Sequence, residues 1–229
     1  MREDAIRAVA DILSTHCDAR HQFLRPKGLT AFVAAFTAWR PSSIREHAGR
    51  VLTLMYNALN PASDSEKTFR EDILRVLADQ ISTNSPIIHG CPAIKCIMEI
   101  CKADHTARQR FVSLNVLQPL IALLTHERVI CQEQAVTTVA DICSTDCDAR
   151  EQMLRLDGLP SLIQLLASSS LQCQEQAATA LAFICIRNDA RRQFVELGGV
   201  EPIRRLLASY SAQCHEQAAR VWAMLNPGS

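Results

Sequence analysis

The chain lacks several features by which a sequence reveals a partner or a compartment. Its 24 basic and 24 acidic residues give a formal net charge of zero, so no long-range field gathers nucleic acid or an anionic membrane. No window approaches the roughly 18 continuous apolar residues of a membrane span. The N-terminal MREDAIRAVADIL has neither the apolar region nor the cleavage site of a signal peptide. We therefore expect no nucleic-acid partner, no membrane insertion, and a cytoplasmic or also nuclear location.

Aromatic residues are also scarce, at 5%, but 48% of the residues are hydrophobic and 21% are charged. This balance is typical of a folded protein and excludes a disordered one. The sequence has no phosphate-binding glycine loop, paired-carboxylate motif or Ser-His-Asp arrangement. We therefore expect no enzymatic activity, no catalytic residues and no cofactor.

Cysteine is abundant, with ten residues, and two interpretations are open. Disulfides are typical of small secreted proteins, but here the cysteines lie in apolar periodic segments, which favours buried thiols in a reducing compartment. A metal site could use His89 with Cys91, Cys96 and Cys101. Cysteines five residues apart on a helix point about 140° apart, so these side chains cannot converge on one ion and no metal is expected.

One stretch of sequence occurs twice. ADILSTHCDARHQFLR begins at residue 10, and ADICSTDCDAREQMLR begins at residue 140 and matches it at 12 of 16 positions. Cys17 could be a nucleophile with His16 or His21 as its base. Cys147 recurs without either histidine, however, so a structural role at a helix start is favoured.

Within this repeated stretch, aspartate and arginine have predicted structural roles. Asp18 and Asp148 are expected to cap the helix that begins there. The arginines that follow, Arg20 and Arg150, are expected to form salt bridges between repeats rather than to bind a substrate.

Motifs that recur at a nearly constant spacing organise the chain. CQEQAV begins at Cys131, CQEQAA at Cys173 and CHEQAA at Cys214. In the unit that contains Cys173, a short helix is predicted to end at Asp157-Gly158, with the glycine expected in a left-handed conformation, and Gly28 and Gly199 mark the same point in other units. A second helix with proline near its start and a longer apolar third helix follow. The pattern predicts an all-α solenoid of three-helix units.

These residues resemble the armadillo repeat, most clearly ARRQFVELG followed by GVEPIRRLLAS and CHEQAARVWAMLN. The resemblance implies one armadillo domain over residues 1–229 that forms a right-handed superhelix. We predict a partial repeat at 1–15, then repeats near 16–57, 58–102 (degenerate), 103–144, 145–186 and 187–229. HEAT repeats are the nearest alternative, and the separate short first helix with its glycine stop favours armadillo.

The resemblance also implies that an extended peptide binds along the concave face formed by the third helices. Importin-alpha-like members carry a tryptophan and, four residues later, an asparagine on this face, and neither residue type stands at the matching positions here. The tryptophan positions fall at Arg7, Arg50, Lys95, Thr137, Thr179 and Arg220. The asparagine positions fall at Asp11, Leu54, Glu99, Asp141, Phe183 and Met224. A receptor for basic nuclear-localisation signals is therefore not expected.

Two interpretations of these twelve groove candidates are open. Arg7–Asp11 and Lys95–Glu99 could be i,i+4 ion pairs on a solvated helix face, each contributing a few tenths of a kcal/mol. Alternatively, the cations could engage acidic or phosphorylated peptide groups.

The predicted function is a non-catalytic scaffold or adaptor for a protein partner that supplies an extended segment. The alternative is a structural or regulatory piece of a larger protein that forms homo-oligomers through exposed repeat ends. An enzyme is the third and least favoured class.

Overall fold

The computed structural model describes residues 8, 11, 12, 42–82 and 92–226. All regular secondary structure in these residues is helical, which confirms the predicted all-α class. The chain divides into two compact units, Met1–Arg110 and Phe111–Ser229. No helix among the described residues is long and apolar enough to cross a membrane.

Among its described residues, the first unit contains α1 (Ser42–Ala58), α2 (Asp64–Ser82) and α3 (Pro92–Ala103). The next helix, α4 (His105–Ser113), begins in the first unit and ends in the second. Helices α1 and α2 both pack against α3. The predicted degenerate repeat at 58–102 therefore contains one long helix, α2, where a regular repeat has two short ones. No glycine interrupts α2, so the helix continues through its full 19 residues.

The second unit repeats a pattern of two short helices and one long helix. After α4 come α5 (Leu117–Leu124) and α6 (Val129–Thr145), and the next repeat contains α7 (Cys147–Arg155), α8 (Gly158–Leu165) and α9 (Leu171–Ile184). The last repeat contains α10 (Asn188–Glu196), α11 (Val200–Leu206) and α12 (Ala212–Leu225).

The long helices of the second unit form one layer. Helix α9 packs between α6 and α12, and each long helix also packs against the second helix of its own repeat, α5, α8 or α11. The core side chains include Cys131, Cys173 and Cys214 at the starts of the long helices, all with no exposed surface. Their recurrence is therefore a packing feature, as the sequence indicated.

The turn between the first and second helices corrects one prediction. The left-handed residue is Asn115 (φ 57°), Asp157 (φ 52°) or Gly198 (φ 76°), so in the middle repeat it is the aspartate and not the glycine. Gly158 instead begins α8 and is buried. A Cβ atom there would lie 2.4 Å from the end of the Met153 side chain, so close packing explains this glycine.

The start of α7 corrects a second prediction, the identity of the capping residue. The capping residue is Asp146, whose Oδ1 accepts hydrogen bonds from the backbone N–H groups of Asp148 (2.8 Å) and Ala149 (3.0 Å). Asp148 was predicted as the cap, but it lies inside the first turn. Asp146 occupies the position of His16 in the duplicated stretch, so this position has a structural role in the second copy. Residues 16–21 lie outside the described residues.

Arg150 was expected to form an inter-repeat salt bridge, and the structure shows a different contact. Its Nε donates to the carbonyl of Cys143 (2.6 Å) and its Nη2 to that of Ser144 (3.1 Å), at the end of α6. Arg191 makes the equivalent bond to the carbonyl of Cys185 (2.8 Å) one repeat later. These arginines satisfy carbonyls that have no partner within the preceding helix.

Candidate functional site

The face formed by the long helices α6, α9 and α12 of the second unit is the candidate binding surface, here called the third-helix face. The predicted groove residues of the first unit lie on two helices, Arg50 and Leu54 on α1, and Lys95 and Glu99 on α3. Arg50 is exposed, whereas the other three are half-buried. Arg7 lies outside the described residues, and Asp11 is described as an exposed helical residue.

The predicted i,i+4 pair of Lys95 with Glu99 is wrong. Lys95 Nζ instead lies 3.6 Å from Glu46 Oε1 on the neighbouring helix α1. Both side chains are about half exposed, so this pair is worth at most a few tenths of a kcal/mol. A pattern within one helix could not reveal a carboxylate that an adjacent helix supplies.

In the second unit the predicted groove residues lie on all three long helices. Thr137 and Asp141 are on α6, Thr179 and Phe183 on α9, and Arg220 and Met224 on α12. Thr137 is buried, Arg220 is exposed, and the other four are half-buried. Because α6, α9 and α12 pack side by side, equivalent positions on them lie in a row. The structure therefore brings these six residues onto one layer of helices.

The two threonines of this row have little capacity to donate to a ligand. The Thr137 hydroxyl donates to the carbonyl of Glu133 (2.7 Å), and the Thr179 hydroxyl donates to that of Glu175 (2.7 Å). A hydroxyl has one proton, so each threonine retains only its acceptor function towards a partner.

Two arginines lie close to the ring of Phe183. The guanidinium carbon of Arg220 lies 5.1 Å from the centroid of the Phe183 ring, and that of Arg150 lies 5.8 Å from it. Both distances are within the range of a cation–π interaction. Arg150 belongs to the first helix of its repeat and was not among the predicted groove residues. Arg150 and Phe183 lie far apart in the sequence, so no local pattern gives a direct sign of this contact.

A repeated serine–glutamate contact links adjacent long helices. Ser170 Oγ lies 2.6 Å from Glu133 Oε1, and Ser211 Oγ lies 2.6 Å from Glu175 Oε1. Each serine also accepts a hydrogen bond from the backbone N–H of the third residue after it and so caps its own helix. A serine three residues before the Cys-x-Glu-Gln motif is the sequence signal that could have predicted this contact.

An open cleft of about 630 Å³ lies between the first and third helices of the last repeat. Its lining includes Arg191, Val195 and Glu196 from α10, and Met224 and Leu225 from α12. Val195 is 48% exposed, so the cleft presents an apolar surface beside charged groups.

The cysteines and acidic residues of the described part of the chain are candidate nucleophiles and metal ligands by residue type. Burial raises the pKa of the Cys143 and Cys185 thiols to about 12, so both are protonated at neutral pH. Among the described residues, one group has potential metal ligands within 4.8 Å of one another, namely Asp146, Cys147 and Asp148. Asp146 is already engaged in capping α7. This cluster is therefore explained by the helix start.

Comparison with protein-family models gives a match over most of the chain. The model of the plant U-box protein ARM repeat region matches residues 43–226. No curated protein matches the chain in sequence.

Several engineered or designed proteins of known structure have similar folds. An engineered protein is 24% identical, covers 99% of this chain and 91% of its own, and has a TM-score of 0.77. A designed armadillo repeat protein is 18% identical, with 98% and 93% coverage and a TM-score of 0.77. Another, in complex with the peptide (KR)4, is 17% identical, with 97% and 92% coverage and a TM-score of 0.76. These similarities establish the armadillo fold.

Proposed function

Because the chain belongs to the family of the plant U-box protein ARM repeat region, we propose that it is a non-catalytic scaffold for a protein partner. The partner supplies an extended segment that lies across the third-helix face. The observation that carries this proposal is the row of equivalent positions on α6, α9 and α12, occupied by Thr137, Thr179 and Arg220.

The spacing of the helices suits an extended chain. Packed helices are about 8–10 Å apart, whereas an extended peptide advances about 3.3–3.6 Å per residue. About two to three peptide residues therefore correspond to one repeat, and successive repeats can contact the peptide in a regular pattern. A designed armadillo repeat protein of the same fold has been solved in complex with the peptide (KR)4, which further supports a peptide ligand.

Site-specific photo-cross-linking tests this proposal. A benzophenone side chain at Thr179 on α9 is expected to capture a partner from native lysate, and the cross-linked segment is expected to bind as a synthetic peptide. The matched control places the same group at Gln164, an exposed residue of the second helix α8. Equal capture at both positions, or capture at Gln164 alone, would exclude the third-helix face as the binding surface.

A second candidate function, self-association, is favoured by the apolar cleft between α10 and α12. Val195→Asp is expected to reduce any concentration-dependent increase in molar mass measured by light scattering. Leu171→Asp is the control, because Leu171 is similarly exposed (52%) and lies at the start of α9. A mass of one chain at every concentration would contradict self-association.

We further propose a reducing compartment, the cytoplasm or also the nucleus. The buried, protonated thiols of Cys143 and Cys185 support this location, because such cysteines serve in packing. Imaging of a fluorescent fusion tests it, and secretion of the fusion would contradict it.

A further inference from the structure

We propose that Arg150, Phe183 and Arg220 form a subsite for a carboxylate side chain of an extended acidic peptide. This inference rests on the function proposed above and adds the charge of the ligand. The subsite joins the first helix of one repeat, α7, to the third helices α9 and α12.

Contacts with the protein hold both guanidinium groups in place. The Nε and Nη2 of Arg150 are bonded to carbonyls at the end of α6, and its plane is further restricted by the ring of Phe183. Arg220 Nη1 donates to Gln217 Oε1 (2.9 Å). Arg150 Nη1, and Nε and Nη2 of Arg220, have no hydrogen-bond partner among the described residues. The two arginine side chains therefore lose little conformational freedom when a ligand accepts hydrogen bonds from these donors.

The charge of the two arginines is not neutralised by ion pairs. Within the described part of the chain, neither Arg150 nor Arg220 pairs with a carboxylate. Glu216 lies four residues before Arg220 on α12, at a spacing that suits an ion pair, yet the Arg220 guanidinium lies over Phe183 instead. Other arginines of the second unit do form ion pairs with acidic residues, among them Arg155, Arg187, Arg204 and Arg205.

Two cations beside one half-buried aromatic ring repel each other, and an anion placed between or beside them removes that repulsion. The ring itself attracts the cations through its face and leaves their outer N–H groups available. The site therefore gains from an anionic ligand in two ways, by direct hydrogen bonds and by relief of repulsion.

A carboxylate suits this site better than a phosphate. The hydroxyl protons of Thr137 and Thr179 are already used within their helices, so neither threonine adds a donor to those of the two guanidinium groups. Asp141, on the neighbouring helix α6 at the position equivalent to Phe183, adds a negative charge that repels a dianion more strongly than a monoanion.

Titration of the isotopically labelled protein with alternating octapeptides, followed by NMR at low salt, tests the subsite. The Gly-Glu octapeptide is expected to shift the signals of Phe183 and of the Arg220 side chain, with an affinity of about millimolar. Arg220→Gln is expected to weaken this binding about fivefold to tenfold. Arg192→Gln is the matched control, since Arg192 is also exposed, and it is expected to leave binding unchanged. Phe183→Leu is expected to weaken binding while preserving helix content by circular dichroism.

Several results would overturn the inference. They are the absence of shifts with the Gly-Glu octapeptide, equal binding of a Gly-Gln octapeptide, and unchanged affinity in Arg220→Gln. Tighter binding of a Gly-phosphoserine octapeptide than of the Gly-Glu one would replace the carboxylate by a phosphate. If the cross-link at Thr179 succeeds while the Gly-Glu octapeptide fails, the peptide-binding function stands and this subsite is wrong.

Discussion

Ser170→Ala tests how adjacent repeats are joined. Ser170 Oγ accepts a hydrogen bond from the backbone N–H of Cys173 (3.2 Å) and donates to the carboxylate of Glu133 (2.6 Å) on the preceding long helix. The substitution removes both contacts at once. It leaves the N–H at the start of α9 without its cap and a half-buried carboxylate without its donor.

The expected loss of stability follows from these two contacts. Replacing an N-capping serine by alanine costs about 1 kcal/mol. A hydrogen bond to a charged group contributes about 1.5–3 kcal/mol, and the lower end applies here because water can reach half-buried Glu133 after the substitution. The free energy of unfolding is therefore expected to fall by about 2–3 kcal/mol. For a protein of this size, such a loss lowers the melting temperature by roughly 4–12 °C.

Urea and thermal unfolding at pH 7, followed by far-ultraviolet circular dichroism, measure the effect. Ser169→Ala is the control, because Ser169 is exposed and makes no hydrogen bond to a described residue, and its effect is expected to stay within about 0.5 kcal/mol. A double-mutant cycle with Glu133→Gln is expected to give a coupling of about 1 kcal/mol. If Ser170→Ala is no more destabilising than Ser169→Ala, or if the coupling is zero, the serine–glutamate contact does not hold the repeats together.

Three further predictions concern the first unit, the cysteines and a tight turn. Burial acts to raise the pKa of Asp104, but hydrogen bonds, first that from Tyr56, hold the pKa below its ordinary value. The ionised carboxylate therefore stabilises the fold fully at pH 7, and this stabilisation declines as acid protonates Asp104 below about pH 4. Urea midpoints are expected to show that Asp104→Asn loses this pH-dependent part of the stability. Iodoacetamide labelling mapped by mass spectrometry is expected to modify exposed Cys147 and to spare buried Cys143; equal labelling would contradict this burial. Gly199→Ala is expected to cost about 1–3 kcal/mol in urea unfolding, because a Cβ would lie 2.3 Å from a buried phenylalanine ring; an unchanged midpoint would show that the ring can move.

The repeat and its three helices were predictable from sequence because the features that define them are local and recur. Cys131, Cys173 and Cys214 mark the same buried position at regular steps, and glycine and proline mark the helix boundaries. The long helix α2 was less predictable, since the sequence showed only that a glycine was missing. It also packs against α3, and no local pattern encodes that contact.

The errors at the repeat junctions have a common physical cause. The predictions assigned Lys95 a partner on its own helix and Arg150 a carboxylate partner. In the structure both side chains reach to another helix, Lys95 to Glu46 and Arg150 to the backbone carbonyl of Cys143. Long cationic side chains can span the distance between packed helices, so their partners depend on tertiary structure. Sequence spacing could identify the junction but not the atom that each cation contacts.

The arginine of the first helix links its structural role to the proposed subsite. Arg150 and Arg191 occupy the same repeat position, and both bond to the carbonyls that end the preceding long helix. This structural role fixes a guanidinium beside the third-helix position of the same repeat. Phe183 occupies that position beside Arg150, whereas Met224 lines a cleft with Arg191. The repeat architecture thus holds a cation at this position, and the third-helix residue beside it determines whether an aromatic ring lies against that cation, as the proposed subsite requires.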